Sequence, residues 1–468
     1  MMVRHASFDF DVAVIGGGSG GYAAARTSAA GGAKTVVIEG GADIGGLCIL
    51  RGCMPTKALL YAAEIRQLAR HSQTFGIKTG EVGFDFSALM ARKQKLIQGF
   101  ADYRAGQLAT GKFDFIRDNA QFVDPHTVLL GNGRKITANH FVIATGSVVA
   151  PSPIPTLQEI GYWTSDTALE LARLPKSLII LGAGAVGIEL AQFFQRLDVE
   201  VTLLQRSSHV LKGEETQASE VIENVLRREG VRILTDTTLR GATLENGLKV
   251  VHFDHRGKSG SVAAKEILFA LGRVPNVKHL ALDHAGIVCN PKGIGVTHEM
   301  RTNVPHIFSA GDCTGLHEIV HIAIQQGEIA AHNILNPSST RQIDYRLLTS
   351  VVFTEPQLAR VGPTEKELTA QGIRFLTAQY PFNDHGKSII MEAMDGFVKL
   401  TANSETGEIL GGTCVGPIGG ELIHEIVVAM ANRMTVHELA AVPHYHPTLA
   451  EIWTYPAEEL AEQIKRKG

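Results

Sequence analysis

Cysteine is scarce, five residues in a chain of 468. So few cannot staple a protein of this length, and they are left with redox, metal or packing roles. Long apolar runs are missing as well: nothing approaches the roughly 18 residues that a membrane helix needs. The stretch from Met1 to Asp11 lacks the basic opening, apolar segment and small-residue cleavage site of a secretory signal. An excess of one charge is also lacking. The formal net charge is -3 and the largest basic cluster is the terminal Lys465-Arg466-Lys467, which reads as a solvated helix end and gives no electrostatic case for nucleic acid or an anionic membrane. These absences point to a soluble cytoplasmic protein. Its length is too great for one hydrophobic core and suits about three domains.

Glycine is what the chain has in patterned form. The strand-like Asp11-Val12-Ala13-Val14-Ile15 breaks at a run from Gly16 to Gly21, with Gly18 between them, and leads into a helix-forming segment from Tyr22 to Ala30. The next strand, Lys34 to Ile38, ends at Glu39. This strand-turn-helix unit presents a helix N-terminus to a pyrophosphate and an acidic acceptor to ribose hydroxyls. A second copy runs from Ser177 through Gly182, Gly184 and Gly187 into a helix from Ile188 to Leu197 and a strand from Glu200 to Leu204. One such fingerprint is weak evidence, but two in the same context predict two dinucleotide sites. They can be compared position by position, because Gly16 to Glu39 and Gly182 to Gln205 have the same length. In the second copy Gln205 stands where the ribose acid would be, followed by Arg206 and Lys212. A cationic setting of this kind suits a 2'-phosphate, so NADPH is read over NADH. Arg273 is a further candidate for that phosphate.

Cys48 and Cys53 lie five residues apart, just downstream of the first glycine unit. A close pair means redox or metal chemistry. Zinc is the weaker reading, because Cys289, Cys313 and Cys414 stand alone and read as small buried hydrophobes. Pro55 marks a helix start near Cys53, where free amides lower a thiol's pKa. In an ideal helix, residues five apart have α-carbons about 8.6 Å apart, beyond the roughly 7 Å limit for a disulfide. A bonded pair therefore needs a distorted segment, and Gly52 is the residue to supply it.

The dithiol run, both glycine units, the Ala144-Thr145-Gly146 turn, the Leu271-Gly272-Arg273-Val274-Pro275-Asn276 and Ser309-Ala310-Gly311-Asp312 runs, and the ending His446-Pro447-Thr448-Leu449-Ala450-Glu451 together resemble the class I pyridine nucleotide-disulfide oxidoreductases. Dihydrolipoamide dehydrogenase, glutathione reductase, mycothione reductase and mercuric reductase belong to that family. The resemblance implies an α/β fold with two Rossmann-like domains, for FAD and NAD(P), and a C-terminal α+β dimerisation domain. The expected bounds are 1–150 and 275–345 for the two parts of the FAD domain, 151–274 for the NAD(P) domain and 346–468 for the interface domain.

By the same likeness Asp312 binds the FAD ribityl chain and Glu39 its ribose, with Gly46, Ala120, Thr145, Gly146 and Gly272 completing the cofactor-binding set. Lys57 pairs with Glu189 beside the flavin. Electrons pass from NADPH through FAD to a Cys48-Cys53 disulfide, with Cys53 facing the flavin and Cys48 attacking a small disulfide substrate. His446, oriented by Glu451, protonates the departing thiol and reaches the dithiol of the other subunit of a homodimer. Three alternatives stand beside this reading: an NAD-dependent dihydrolipoamide dehydrogenase, a mercuric reductase-like enzyme, and a structural or redox-sensing flavoprotein subunit of a larger complex. Arg51, between the cysteines, is expected to favour a thiolate or an anionic substrate.

Overall fold

The computed structural model describes residues 8–465. Phe10–Ile15 and Thr35–Ile38 are almost wholly buried, rich in β-branched residues, and pair in parallel at the centre of a seven-stranded sheet. Such apolar runs need cover on both faces, which is what a doubly wound fold provides. On one side the sheet continues to Asp114–Ile116; on the other Lys135–Ile143 pairs with Phe10–Ile15 and carries an antiparallel extension, Thr127–Leu130 and Ala120–Asp124. After Ile143 the chain leaves this sheet and returns much later, when Ile307–Ser309 pairs in parallel with the same strand.

Between departure and return lies a second parallel sheet of five strands, ordered Arg232–Leu234, Glu200–Leu204, Ser177–Leu181, Glu266–Phe269, Trp163–Thr164. An antiparallel three-stranded sheet over residues 237–264 adjoins it. The last unit is a five-stranded antiparallel sheet, ordered Thr349–Val352, Gln357–Val361, Ile409–Gly416, Phe397–Asn403, Phe375–Pro381, covered by the helix Gly419–Ala431.

Six helices position the chemistry: α1 (Ser19–Ala30), α2 (Gly46–Arg51), α3 (Cys53–Arg70), α4 (Phe86–Leu108), α5 (Ala185–Arg196) and α6 (Val320–Leu335). α1 and α5 begin three residues earlier than the pattern Tyr22 to Ala30 and Ile188 to Leu197 predicts. The last glycine of each fingerprint already lies in the first helical turn, where a Cβ at Gly21 would stand 1.8 Å from the Gly16 carbonyl oxygen and one at Gly187 2.0 Å from that of Gly182.

α3 sits where the three units meet. Its Leu59 and Ala63 belong to one buried cluster with Ile188 and Ala191 of α5 and with Val352 and Val415 of the C-terminal sheet. Cys313 and Cys414 are buried as expected, but Cys289 is exposed: it lies in a two-residue strand at the surface, with no sheet to cover it. The side chains of Lys465-Arg466-Lys467 lie outside the described residues.

Candidate active site

Each glycine unit builds the same turn. Gly16 and Gly182 have φ of 105° and 99°, values in the left-handed range that favours glycine. Glu39 Oε2 accepts the Gly17 N–H at 2.7 Å, and Gln205 Oε1 accepts the Ala183 N–H at 3.1 Å. The carboxylate and the amide thus occupy equivalent places. Gly18 and Gly184 stand at the N-caps of α1 and α5 without a side-chain cap, so the first amides of both helices are left for an anion.

In the first unit, the α-carbons of Gly18 and Gly46 come so close that a Cβ on Gly46 would lie 2.7 Å from Gly18 Cα. The loop that leads to the dithiol therefore rests directly on the turn. Thr145 Oγ1 is buried with no hydrogen-bond partner, and Gly146 follows it with φ of 70°. Asp312, half-buried, accepts a hydrogen bond from Ser147 Oγ at 2.7 Å. Uncapped amides, an orphaned hydroxyl and an acceptor carboxylate together fit FAD. Ala120 lies at the start of its strand, in the core with Phe122 and Ile136.

In the second unit Arg206 and Lys212 are exposed, with no ion pair or hydrogen bond among the described residues. Gly272, with φ of 113°, has open space where a Cβ would point. Arg273 is not available to a 2'-phosphate. Its guanidinium donates to Ser147 Oγ and to the Ser147 carbonyl, both at 2.9 Å, and lies 3.5 Å from Asp166. That candidate is corrected: Arg273 is held on the Asp312 side of the molecule, as partner of the residue that bonds Asp312.

The dithiol lies at a helix break. Gly52, with φ −132° and ψ −114°, separates α2 from α3, and a Cβ there would stand 3.0 Å from the Leu47 carbonyl oxygen and 3.3 Å from Cys48 Cα. The break leaves the two thiols, both free, close enough to shift each other's titration. The Cys53 thiol is lowered to about 7, first by the hydrogen bond from Cys48 and also by the charge of Lys57, against the opposing effect of burial. Cys48, the donor of that bond, is raised by the same contact and by burial. The pair thus shares one proton that rests on Cys48, and the negative charge falls on Cys53.

Lys57 lies one turn along α3 from Cys53 and donates to Glu189 Oε2 of α5 at 2.8 Å. Glu189, with only 4% of its side chain exposed, also accepts from the Phe353 N–H at 2.9 Å, and the Lys57 ammonium lies 4.4 Å from the Phe353 ring centre. This interaction ties all three units together at the dithiol. Arg51 is exposed and lies 3.9 Å from Asp166.

His446 Nδ1 lies 3.0 Å from Glu451 Oε2, its sole hydrogen-bond partner among the described residues; 79% of the histidine side chain is exposed but only 9% of the glutamate's. No hydrogen bond joins this pair to Cys48 or Cys53 of the same chain. The sequence reading missed one neighbour: His385, fully buried, whose Nε2 stands 3.4 Å from the other carboxylate oxygen of Glu451. A histidine 66 residues from the glutamate carries no spacing signal, and only the fold brings it there. His444 is partnered with Glu425 at 2.6 Å. Among the described residues no cluster of three or more His, Cys, Asp or Glu could hold a metal ion, and no helix is long and apolar enough to cross a membrane.

The family model described as pyridine nucleotide-disulphide oxidoreductase matches residues 10–327, and that of its dimerisation domain matches residues 348–457. The chain is 33% identical over 463 residues to the dihydrolipoyl dehydrogenase of Geobacillus stearothermophilus, covering 98% of this chain and 97% of that protein. It is 32% identical over 447 residues to the mercuric reductase of Bacillus cereus, covering 95% of this chain and 70% of that protein. Among solved structures, LpdA from Mycobacterium tuberculosis superposes with a TM-score of 0.87 at 28% identity, covering 96% of this chain and 99% of that one. The HOCl-induced flavoprotein disulfide reductase RclA from Escherichia coli gives 0.85 at 26% identity, with the same coverages. With the two dinucleotide turns, the paired thiols and the dimerisation domain in one chain, this protein belongs to the class I pyridine nucleotide-disulfide oxidoreductases and is a flavin-dependent enzyme of that family.

Proposed function

We propose that the protein is an NADPH-preferring reductase of a small disulfide, working through Cys48 and Cys53. The observation that carries this reading is the pairing of Cys48 and Cys53 across the Gly52 break at the head of α3, beside the Lys57–Glu189 pair. Glu39, Asp312 and the Gly16–Gly21 turn would hold FAD, which would supply the electron relay between nicotinamide and sulfur. The chain's own residues do the rest. Cys48 passes its proton to His446 Nε2 and, as thiolate, attacks one sulfur of the substrate disulfide; a Cys48–substrate bond forms, the substrate S–S bond breaks, and the departing sulfur takes that proton from His446 Nε2. Cys53 thiolate then attacks Cys48 Sγ, closing the protein disulfide and releasing the second sulfur as a thiolate, which takes a proton from solvent. The substrate gains two electrons and the dithiol loses them. Because His446 is exposed and has no bond to the dithiol of its own chain, the proton donor for each site comes from the partner subunit of the homodimer.

Two further observations refine the reading. Gln205 offers a neutral amide where Glu39 offers a charge, and Arg206 and Lys212 are unpaired beside it, which favours the 2'-phosphate of NADPH. On α4, Arg104 Nε and Nη1 and Gln107 Oε1 are buried without hydrogen-bond partners, and Cys48 is among the charges that act on Arg104. Arg104, its guanidinium 4.3 Å from the Tyr22 ring centre with two nitrogens unbonded, favours a polar or anionic substrate. A cytoplasmic setting, where thiols stay reduced, suits this chemistry. The second reading is an NAD-dependent dihydrolipoamide dehydrogenase, favoured by the name of the Geobacillus stearothermophilus relative.

The test is anaerobic reduction of the FAD-loaded protein by NADPH and by NADH, followed by turnover with lipoamide, glutathione disulfide and cystine. NADPH reduction followed by turnover of a charged disulfide supports the first reading. Preference for NADH with lipoamide alone supports the second.

A further inference from the structure

We infer that His385 is a positioning residue for the proton donor, the buried end of a chain Ser388–His385–Glu451–His446; this rests on reading His446 and Glu451 as the acid-base pair. His385 and Ser388 are both fully buried, with Ser388 Oγ 2.7 Å from His385 Nδ1 and His385 Nε2 3.4 Å from Glu451 Oε1. Nε2 is buried and makes no hydrogen bond of regular geometry; Glu451 is the carboxylate that it faces. The opposite carboxylate oxygen lies 3.0 Å from His446 Nδ1.

These contacts fix every proton. An ionised carboxylate only accepts, so each nitrogen that faces it carries hydrogen: Nε2 of His385 and Nδ1 of His446. A neutral His385 then has its lone pair on Nδ1, where the Ser388 hydroxyl donates to it. A neutral His446 has its lone pair on Nε2, the nitrogen that must exchange a proton with the departing sulfur. The ring of His385 is enclosed edge-on by Phe382 and Tyr455, each 6.4 Å away, and burial holds the imidazole below its ordinary pKa. The titratable groups around it are Glu451, His446 and Tyr455, with Tyr380 stacked on Tyr455 and donating to Asp384. His385 therefore favours the neutral form and turns its Nε2–H toward Glu451 across a long contact, which aims the carboxylate. An oriented partner of this kind sets the tautomer of a catalytic histidine.

The test separates disulfides by their leaving thiol. An alkyl disulfide needs a proton on departure; a bis(nitrobenzoate) disulfide releases a stable thiolate and does not. His385→Phe and His385→Gln are compared with His446→Gln in the FAD-loaded dimer, using the nitrobenzoate disulfide and whichever of lipoamide and glutathione disulfide turns over faster. His385→Phe should lower kcat for the alkyl disulfide about tenfold, a fraction of the roughly 100- to 10,000-fold that general acid-base catalysis supplies, and shift the acidic limb of its pH profile. It should leave both NADPH reduction and the nitrobenzoate reaction unchanged. His385→Gln, whose side-chain amide can replace the Nε2–H donor, should restore most of the loss. Equal losses with both disulfides, no loss, or no recovery in His385→Gln would overturn the inference. If His446→Gln itself has no effect on the alkyl disulfide, the acid-base pair is misassigned and this inference falls with it; if His446→Gln is impaired and His385→Phe is not, only the role of His385 falls.

Discussion

At the scale of single residues, the chemistry rests on where one proton sits between two sulfurs. Cys53 is lowered from 9.0 to about 7, first by the Cys48 hydrogen bond. A depressed folded pKa means that the fold favours the thiolate, fully so above the unfolded value, and that this preference is lost as pH falls through about 7. In the reduced enzyme the long-wavelength absorbance of a thiolate beside a flavin should therefore titrate with a midpoint near pH 7. Cys48→Ala, which deletes the donor, should move the midpoint up, whereas Cys48→Ser keeps a hydroxyl donor and should move it less. The Lys57–Glu189 pair is set up differently. Glu189 is buried and bonded twice, so Glu189→Ala leaves Lys57 without its counter-charge. Breaking a buried pair costs roughly 3–5 kcal/mol; because 32% of the Lys57 side chain meets solvent, we expect about 2 kcal/mol, read from denaturant unfolding of the FAD-loaded protein.

At the scale of elements, the two glycine turns offer a paired experiment. A methyl group on Gly21 or on Gly187 would run into the backbone carbonyl at the start of its own turn. Gly21→Ala should abolish retention of FAD, measured by flavin absorbance after gel filtration. Gly187→Ala should retain the colour and lose NADPH reduction. If Gly187→Ala is reduced by NADPH at the wild-type rate, the second turn does not hold the nicotinamide cofactor.

The elements also mark what could be read in advance. The turns and their strands were legible because glycine spacing and strand periodicity are local and repeat twice. The break at Gly52 was legible because two cysteines five apart cannot meet on an intact helix. The placement of Arg273 and His385 was not. Each finds its partner, Ser147 or Glu451, across 126 or 66 residues of sequence, and nothing local encodes such a meeting. Cys289 misled for a related reason: its apolar neighbours suggest burial, but burial depends on whether another layer covers the strand.

At the scale of the whole molecule, one chain holds two halves of a site that do not meet. The thiols lie at the head of α3, while His446 stands in the C-terminal unit with Nε2 free and most of its ring exposed. Neighbouring Tyr445 is 83% exposed, and Ile418 and Val428 of the same unit also present apolar surface, which a dimer would cover. If each site draws its thiols from one subunit and its histidine from the other, then Cys48→Ser and His446→Gln should each be inactive with an alkyl disulfide as homodimers. Dissociated, mixed in equal amounts and reassociated, they should form heterodimers in about half of all dimers. Each heterodimer contains one intact site, made of the thiols of the His446→Gln chain and the histidine of the Cys48→Ser chain, and one site defective in both. Activity should therefore recover to about a quarter of wild type, and rise with the measured heterodimer fraction. A site complete within one chain would show no recovery at any mixing ratio, because every chain in the mixture would carry its own defect.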